Sequence, residues 1–242
     1  MIDIDSLLEV VEPDDVDVSS LSVHDKLNPA LWTPANGDYS LKPEIKQKLL
    51  DVANKFSEYI KYKGSKIVIK DIVITGSNAN FNWSEYSDVD VHLMLDYKSI
   101  SCEENLIDDF IYDKKVLWSL KHTIEISKIP VELYAQNSEE AFTKGSGVYS
   151  LISNEWIQKP NRKNIVIDFG KVKDKAAEIM NAIEEAQNEQ QIEILRNKIW
   201  KMRSAGLSRY GEFSEGNYVY KVLRRAGVLQ DLKNKYEEIS RF

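Results

Sequence analysis

The segment Asp88–Leu95 alternates strictly: Val89, Val91, Leu93 and Leu95 fall on one face, and Asp88, Asp90, His92 and Met94 on the other. A period of two is the mark of a strand with one buried side. Upstream, Ile45, Leu49, Val52, Ala53, Phe56 and Ile60 recur at helical spacing, with Pro43 suited to a first turn and Gly64 to a stop. The spacing predicts a helix over 43–62. Residues 66–75, rich in β-branched side chains and closed by Gly76, read as a strand. Residues 104–122 read as a helix built on Leu106, Phe110, Val116, Leu117 and Leu120. Residues 123–135 read as two short strands, the second placing Val131, Leu133 and Ala135 inward and Glu132 and Tyr134 on the opposite face.

Either side of this α/β stretch the texture differs. Residues 1–40 show no sustained period and carry eight carboxylates before the first lysine, which reads as an irregular acidic arm with Leu27, Leu31 and Trp32 docked on the core. Residues 145–160 read as loop and short helix. Beyond them, helical patterns run over about 171–188, 191–209, 215–226 and 228–240, with Gly206, Gly211, Gly216 and Gly227 as breaks. The expected fold is therefore α+β: a small mixed sheet with flanking helices over 41–160, preceded by an acidic arm over 1–40 and followed by a helical domain over 161–242.

Composition narrows the class. Of 242 residues, 43% are hydrophobic and 29% charged, as in ordinary globular chains. No apolar run approaches the roughly 20 residues that span a bilayer, so no membrane partner is expected. The acidic N-terminus lacks the positive start of a secretory signal, and a single cysteine, Cys102, permits no internal disulfide. A cytoplasmic location is expected. Net charge is −7, split unevenly: residues 1–158 carry −12, and residues 159–242 carry +5 with all seven arginines. The total argues against a general nucleic-acid coat protein. The polarity suits a carboxylate-rich site and a phosphate-binding helical half, and equally suits solvated helix faces.

The informative stretch is GSNANFNWSEYSDVD, residues 76–90. A strand ending in Gly-Ser lets the chain turn tightly and a helix start offer N–H groups to an anion. The two-residue step from Asp88 to Asp90 sends both carboxylates to one face, close enough to share divalent cations. Glu132, flanked by apolar positions on a later strand, is costly unless paired or liganded. Together the three carboxylates make a two-metal site for Mg²⁺ or Mn²⁺, in which ions roughly 3.5–4 Å apart neutralise a triphosphate and activate a hydroxyl.

An apolar strand, Gly-Ser and then Asp-x-Asp in a second strand resembles the nucleotidyltransferase superfamily that includes DNA polymerase beta. The motif match covers about residues 66–135, with GVYSLISNEW as a weaker extension. The fuller arrangement is similar to uncharacterised nucleotidyltransferase-like proteins of tailed phages. The resemblance implies a small α/β palm followed by helices, with Gly76 and Ser77 holding the β and γ phosphates. It implies that Asp88 and Asp90 bind both magnesium ions and that Glu132 binds the catalytic one beside the acceptor hydroxyl. Many small members carry an arginine just after Gly-Ser, where this chain has Asn78 and Asn80. Asn78 then caps the turn or bonds a phosphate oxygen, and charge has to come from the helical half. Arg203, Arg209, Lys221, Arg224 and Arg225 are candidates there, Lys221 and Arg225 sharing one helical face. Tyr149 and Trp156 suit base stacking or aromatic packing between the two units, and His92 suits a structural hydrogen bond.

The expected activity is transfer of a nucleoside monophosphate from an NTP to a hydroxyl of an RNA 3′ end, a protein, a small molecule or a second nucleotide, with release of pyrophosphate. The competing readings are a catalytically silent nucleotide-binding or regulatory module of the same fold, and a metal-dependent phosphohydrolase. Against the last stand only three histidines and no histidine-rich cluster.

Overall fold

The computed structural model describes residues 10–35, 37–61, 67–100, 103–162 and 166–240, so Cys102 and the first part of the acidic arm lie outside the described residues. The chain divides into two compact units: residues 22–163, and residues 1–21 together with 164–242. The first is α+β with a mixed sheet, and the second is helical. The expected arm over 1–40 is thus shared between the units, its two parts being drawn into two different cores. Among the described residues, no helix is long and apolar enough to cross a membrane.

Unit 22–163 opens with an antiparallel hairpin, β1 (Trp32–Ala35) and β2 (Asp38–Leu41), where the sequence suggested irregular chain. Leu27, Leu31 and Trp32 are buried, as docking on the core requires. Helix α1 (Pro43–Ile60) begins on its proline and buries Ile45, Leu49, Ala53, Phe56 and Ile60, one stripe of a 3.6-residue repeat. Strands β3 (Ile69–Thr75) and β4 (Val89–Leu95) pair antiparallel. Helix α2 (Glu104–Lys121) then carries the chain back, so that after the short β5 (Glu125–Ile126), β6 (Ile129–Asn137) runs parallel to β4. Val89, Val91, Leu93 and Leu95 are all buried, so the alternation along β4 reports its inner face.

Two expectations fail in this unit. Helix α2 buries Ile107, Ile111 and Trp118, whereas Leu106 and Leu120 are 64% and 78% exposed, and Val116 and Leu117 also face out. The inward stripe is rotated from the expected one because Trp118 packs against Phe56 and Tyr59 of α1. Residues 145–160 form a further hairpin, β7 (Val148–Ser150) and β8 (Glu155–Gln158), which extends the sheet beyond β3. The full strand order is β5-β6-β4-β3-β7-β8.

The helical unit holds α3 (Phe169–Glu185), α4 (Glu189–Tyr210), α5 (Glu215–Arg225) and α6 (Val228–Ile239). Asp168, Asn188 and Ser214 accept hydrogen bonds from backbone N–H groups in the first turns of α3, α4 and α5, satisfying donors that lack an intrahelical partner. Val16 and Leu21 share a buried cluster with Val172, Ile179 and Val222, and Asn181 exchanges two hydrogen bonds with the backbone of Val11. Gly211 and Gly227 are turns with φ of +75° and +80°, as expected of breaks. Gly206 is not a break. It lies inside α4, where a Cβ would stand 2.7 Å from Ser214 Oγ, so its small size serves the approach of the next segment.

Candidate active site

Asp90 lies in register with Glu132 across the parallel β4–β6 pair and with Thr75 across the antiparallel β3–β4 pair. Residues in register on neighbouring strands share a face. Asp88 precedes β4 by one residue, two positions from Asp90, and so falls on that face too. The three carboxylates each offer an oxygen within 4.8 Å of the others, with Asp88 and Asp90 partly buried and Glu132 exposed. Gly76, next along from Thr75, has φ +71° and ψ −164°, a conformation that only glycine adopts without strain. A Cβ built there would overlap the Asp90 carboxylate. The glycine is therefore dictated twice, by its backbone and by the side chain it admits.

Past Gly76 the chain makes a single 3₁₀ turn, Ser77–Ala79, rather than the start of a helix. Ser77 is buried and its hydroxyl donates to Ser87 Oγ at 2.9 Å, tying the turn to the segment that leads into Asp88. Asn78, expected to touch nucleotide, is fully buried. Its Nδ2 donates to the Asp88 carbonyl (2.7 Å), its Oδ1 accepts from Asn28 Nδ2 (2.8 Å), and its carbonyl accepts from Trp32 Nε1 (2.7 Å). Asn80 acts likewise, donating to the Gly76 carbonyl (2.7 Å) and accepting from the Gly147 N–H (2.8 Å). The two asparagines are structural members of the loop, and Asn28 and Trp32 extend that frame.

Two residues that sequence reasoning passed over, Lys115 and Tyr134, stand at Glu132. Tyr134 Oη donates to Glu132 Oε2, and the Lys115 ammonium lies 3.8 Å from that oxygen and 3.6 Å from the centre of the Tyr134 ring. Burial raises the Tyr134 hydroxyl pKa well above its ordinary value, with the charges of Asp90, Glu132 and Asp88 adding to the shift. Burial lowers the Lys115 pKa, opposed by the carboxylates of Glu132, Asp90 and Asp88. His92 stacks on Tyr134 with centroids 4.6 Å apart and bonds Gln136 through Nδ1, the structural role its position suggested. Burial pushes its pKa down to about 4, the bond to Gln136 acting in the opposite sense.

Tyr149 is 1% exposed, its ring set edge-on to Trp32 and Trp156 and its hydroxyl donating to the Asn154 carbonyl. It presents no face for a base, and its aromatic packing lies within the unit of residues 22–163. Lys221 and Arg225 lie on α5 in the helical unit. Lys221 is nearly buried, 3.9 Å from Glu212, and Arg225 Nη1 donates to Ser20 Oγ at 2.7 Å. Arg203 is spread over the Tyr220 ring at 4.2 Å.

Oxygen donors from three carboxylates suit hard divalent cations such as Mg²⁺ or Mn²⁺. No protein-family model and no curated protein matches the sequence. Among solved structures, the chain is similar to the STING-associated CdnE c-di-GMP synthase from Capnocytophaga granulosa, with 12% identity, 84% of each chain covered and a TM-score of 0.25. So distant a likeness leaves the functional reading to the geometry of the site.

Proposed function

We propose that this protein is a metal-dependent nucleotidyltransferase that moves a nucleoside monophosphate from an NTP to an acceptor hydroxyl. The observation that carries the reading is the convergence of Asp88, Asp90 and Glu132 on one sheet face, beside a glycine turn shaped around Asp90. The spacing that resembles the DNA polymerase beta superfamily supports it. In this reading Asp88 and Asp90 hold two divalent cations and Glu132 holds the one nearer the acceptor. When bound, such ions neutralise the triphosphate and lower the pKa of the attacking hydroxyl.

The chain's own residues supply position. The turn at Gly76 and Ser77 lies next to the aspartates, so a triphosphate held there meets the carboxylate face. Asn78 and Asn80 keep that loop in one shape, and Tyr134 holds one oxygen of Glu132. The acceptor oxygen bonds the α-phosphorus as the α–β bridging bond breaks, pyrophosphate departs and the hydroxyl loses its proton. Preorganisation of this kind accounts for most of the rate in phosphoryl transfer.

The test uses α-labelled NTPs with Mg²⁺ or Mn²⁺ and pools of RNA, protein or small-molecule acceptors. Label is expected on an acceptor with release of pyrophosphate, and Asp88→Ala or Asp90→Ala is expected to reduce it to background while the circular dichroism spectrum is unchanged. Labelling that survives both substitutions overturns the mechanism. Nucleotide binding with no pyrophosphate from any pool identifies the silent module instead, and free phosphate with nucleoside identifies a hydrolase.

A further inference from the structure

Glu132 is the most solvent-exposed of the three carboxylates, yet two neighbours restrain it. One is Tyr134, two residues on along β6, whose hydroxyl donates to Oε2. The other is Lys115, which comes from α2, a different element. Long lysine side chains on a helix surface ordinarily extend into water, and an exposed ion pair contributes little. Lys115 does otherwise. Its side chain is only 25% exposed, and its ammonium lies over the Tyr134 ring and beside Glu132. The charges of Glu132, Asp90 and Asp88 all act on it. A cluster that gathers three carboxylates within 4.8 Å thus has a cation tethered at its edge.

We infer that Lys115 is a positioning residue of this centre: a built-in monovalent cation that shares Glu132 with Tyr134 and competes with divalent cations for the three-carboxylate cluster. The inference rests on the reading of that cluster as a metal centre. Two effects follow from the geometry. A fixed positive charge beside Glu132 repels an incoming divalent ion, and at roughly 6 Å this weakens binding by about tenfold even at the dielectric of bulk water. The same charge, with the tyrosine hydroxyl, holds Glu132 Oε2, so the carboxylate meets a cation through its other oxygen. A triphosphate brings the negative charge that offsets Lys115. Divalent binding is therefore coupled to nucleotide binding, and each favours the other by the same factor.

The probe is Mn²⁺ alone, titrated into the full chain and followed by its electron paramagnetic resonance signal at fixed pH. Lys115→Met is expected to bind Mn²⁺ about tenfold more tightly than the unsubstituted chain, since the repulsion is gone. Lys115→Arg, which keeps the charge, is expected to restore the weaker affinity. The gap between Met and Lys is expected to narrow as salt is raised, which a packing effect would not do. Lys115→Gln serves as the neutral variant should Met impair folding, judged by the thermal midpoint. If the neutral variants bind Mn²⁺ no more tightly while Asp88→Ala abolishes binding, the inference about Lys115 is overturned and the metal centre stands. Binding that Asp88→Ala and Asp90→Ala leave intact overturns both.

Discussion

Gly76 is where backbone and site chemistry meet in one residue. Its positive φ and its contact with the Asp90 carboxylate leave no room for a methyl group. Gly76→Ala is expected to cost about 1–3 kcal/mol of stability, the usual range for a non-glycine residue forced into such a conformation, measured as a shift in urea midpoint. Because relief must come from displacing Asp90, the transfer rate is expected to fall by about a hundredfold, far more than the stability loss alone explains. A variant with normal rate and lowered midpoint would separate the turn from the chemistry. At this scale the sequence was informative about the carboxylates, since a two-residue step on a strand and a strand-centred glutamate both report their faces. It was silent about Lys115, which reaches the cluster across a helix-to-strand contact that no local spacing encodes. It also misled at Asn78, where a polar side chain after Gly-Ser suited a phosphate ligand but is a buried strut, its amide bonded to Asp88 and Asn28 and its backbone carbonyl to Trp32.

The strands and helices divide by how many faces their apolar residues occupy. Strand β4 has one apolar face, so its period was readable and its burial followed. Helix α2 has apolar residues nearly all round, and periodicity alone offers several stripes; the partner on α1 selects the one through Ile107, Ile111 and Trp118. This is open to test. Ile111→Ala is expected to cost about 2–4 kcal/mol, as for other large-to-small core changes. Leu120→Lys, on the expected but unused stripe, is expected to stay within about 0.5 kcal/mol. Equal losses in thermal or urea denaturation would mean that the helix is turned differently. The hairpin of β7 and β8 escaped notice for another reason. Strands of three and four residues are too short to show a period, so nothing local chose between stacking and packing for Tyr149 and Trp156. Pairing of β7 with β3 buries Tyr149 in the core.

Across the whole molecule, the division of the chain departs from the boundaries that composition suggested. The first 40 residues share an acidic character, and charge alone marks them as one arm. Burial separates them: Val16 and Leu21 join the helical core, whereas Leu27, Leu31 and Trp32 join the core of the α/β unit. Trp32 also donates to the Asn78 carbonyl, and Asn28 to the Asn78 side chain, so the segment before residue 40 supports the loop at Ser77 directly. Two fragments therefore ought to behave differently. A chain of residues 22–163 contains the three carboxylates, Lys115 and the buried partners of Asn78. It is expected to melt cooperatively and to bind Mn²⁺ with the affinity of the full chain. A chain of residues 41–160 lacks Trp32, and loss of a buried tryptophan costs about 3–5 kcal/mol. That is a large share of the 5–15 kcal/mol that holds a typical domain together. It also lacks both hydrogen bonds from the leading segment to Asn78, and a buried amide left without its partner adds a further cost. The shorter fragment is expected to lose its cooperative melt and, with the loop unsupported, its Mn²⁺ affinity. Should it prove as stable as residues 22–163 in thermal melts, the leading segment would be an accessory and the loop at Ser77 would stand without it.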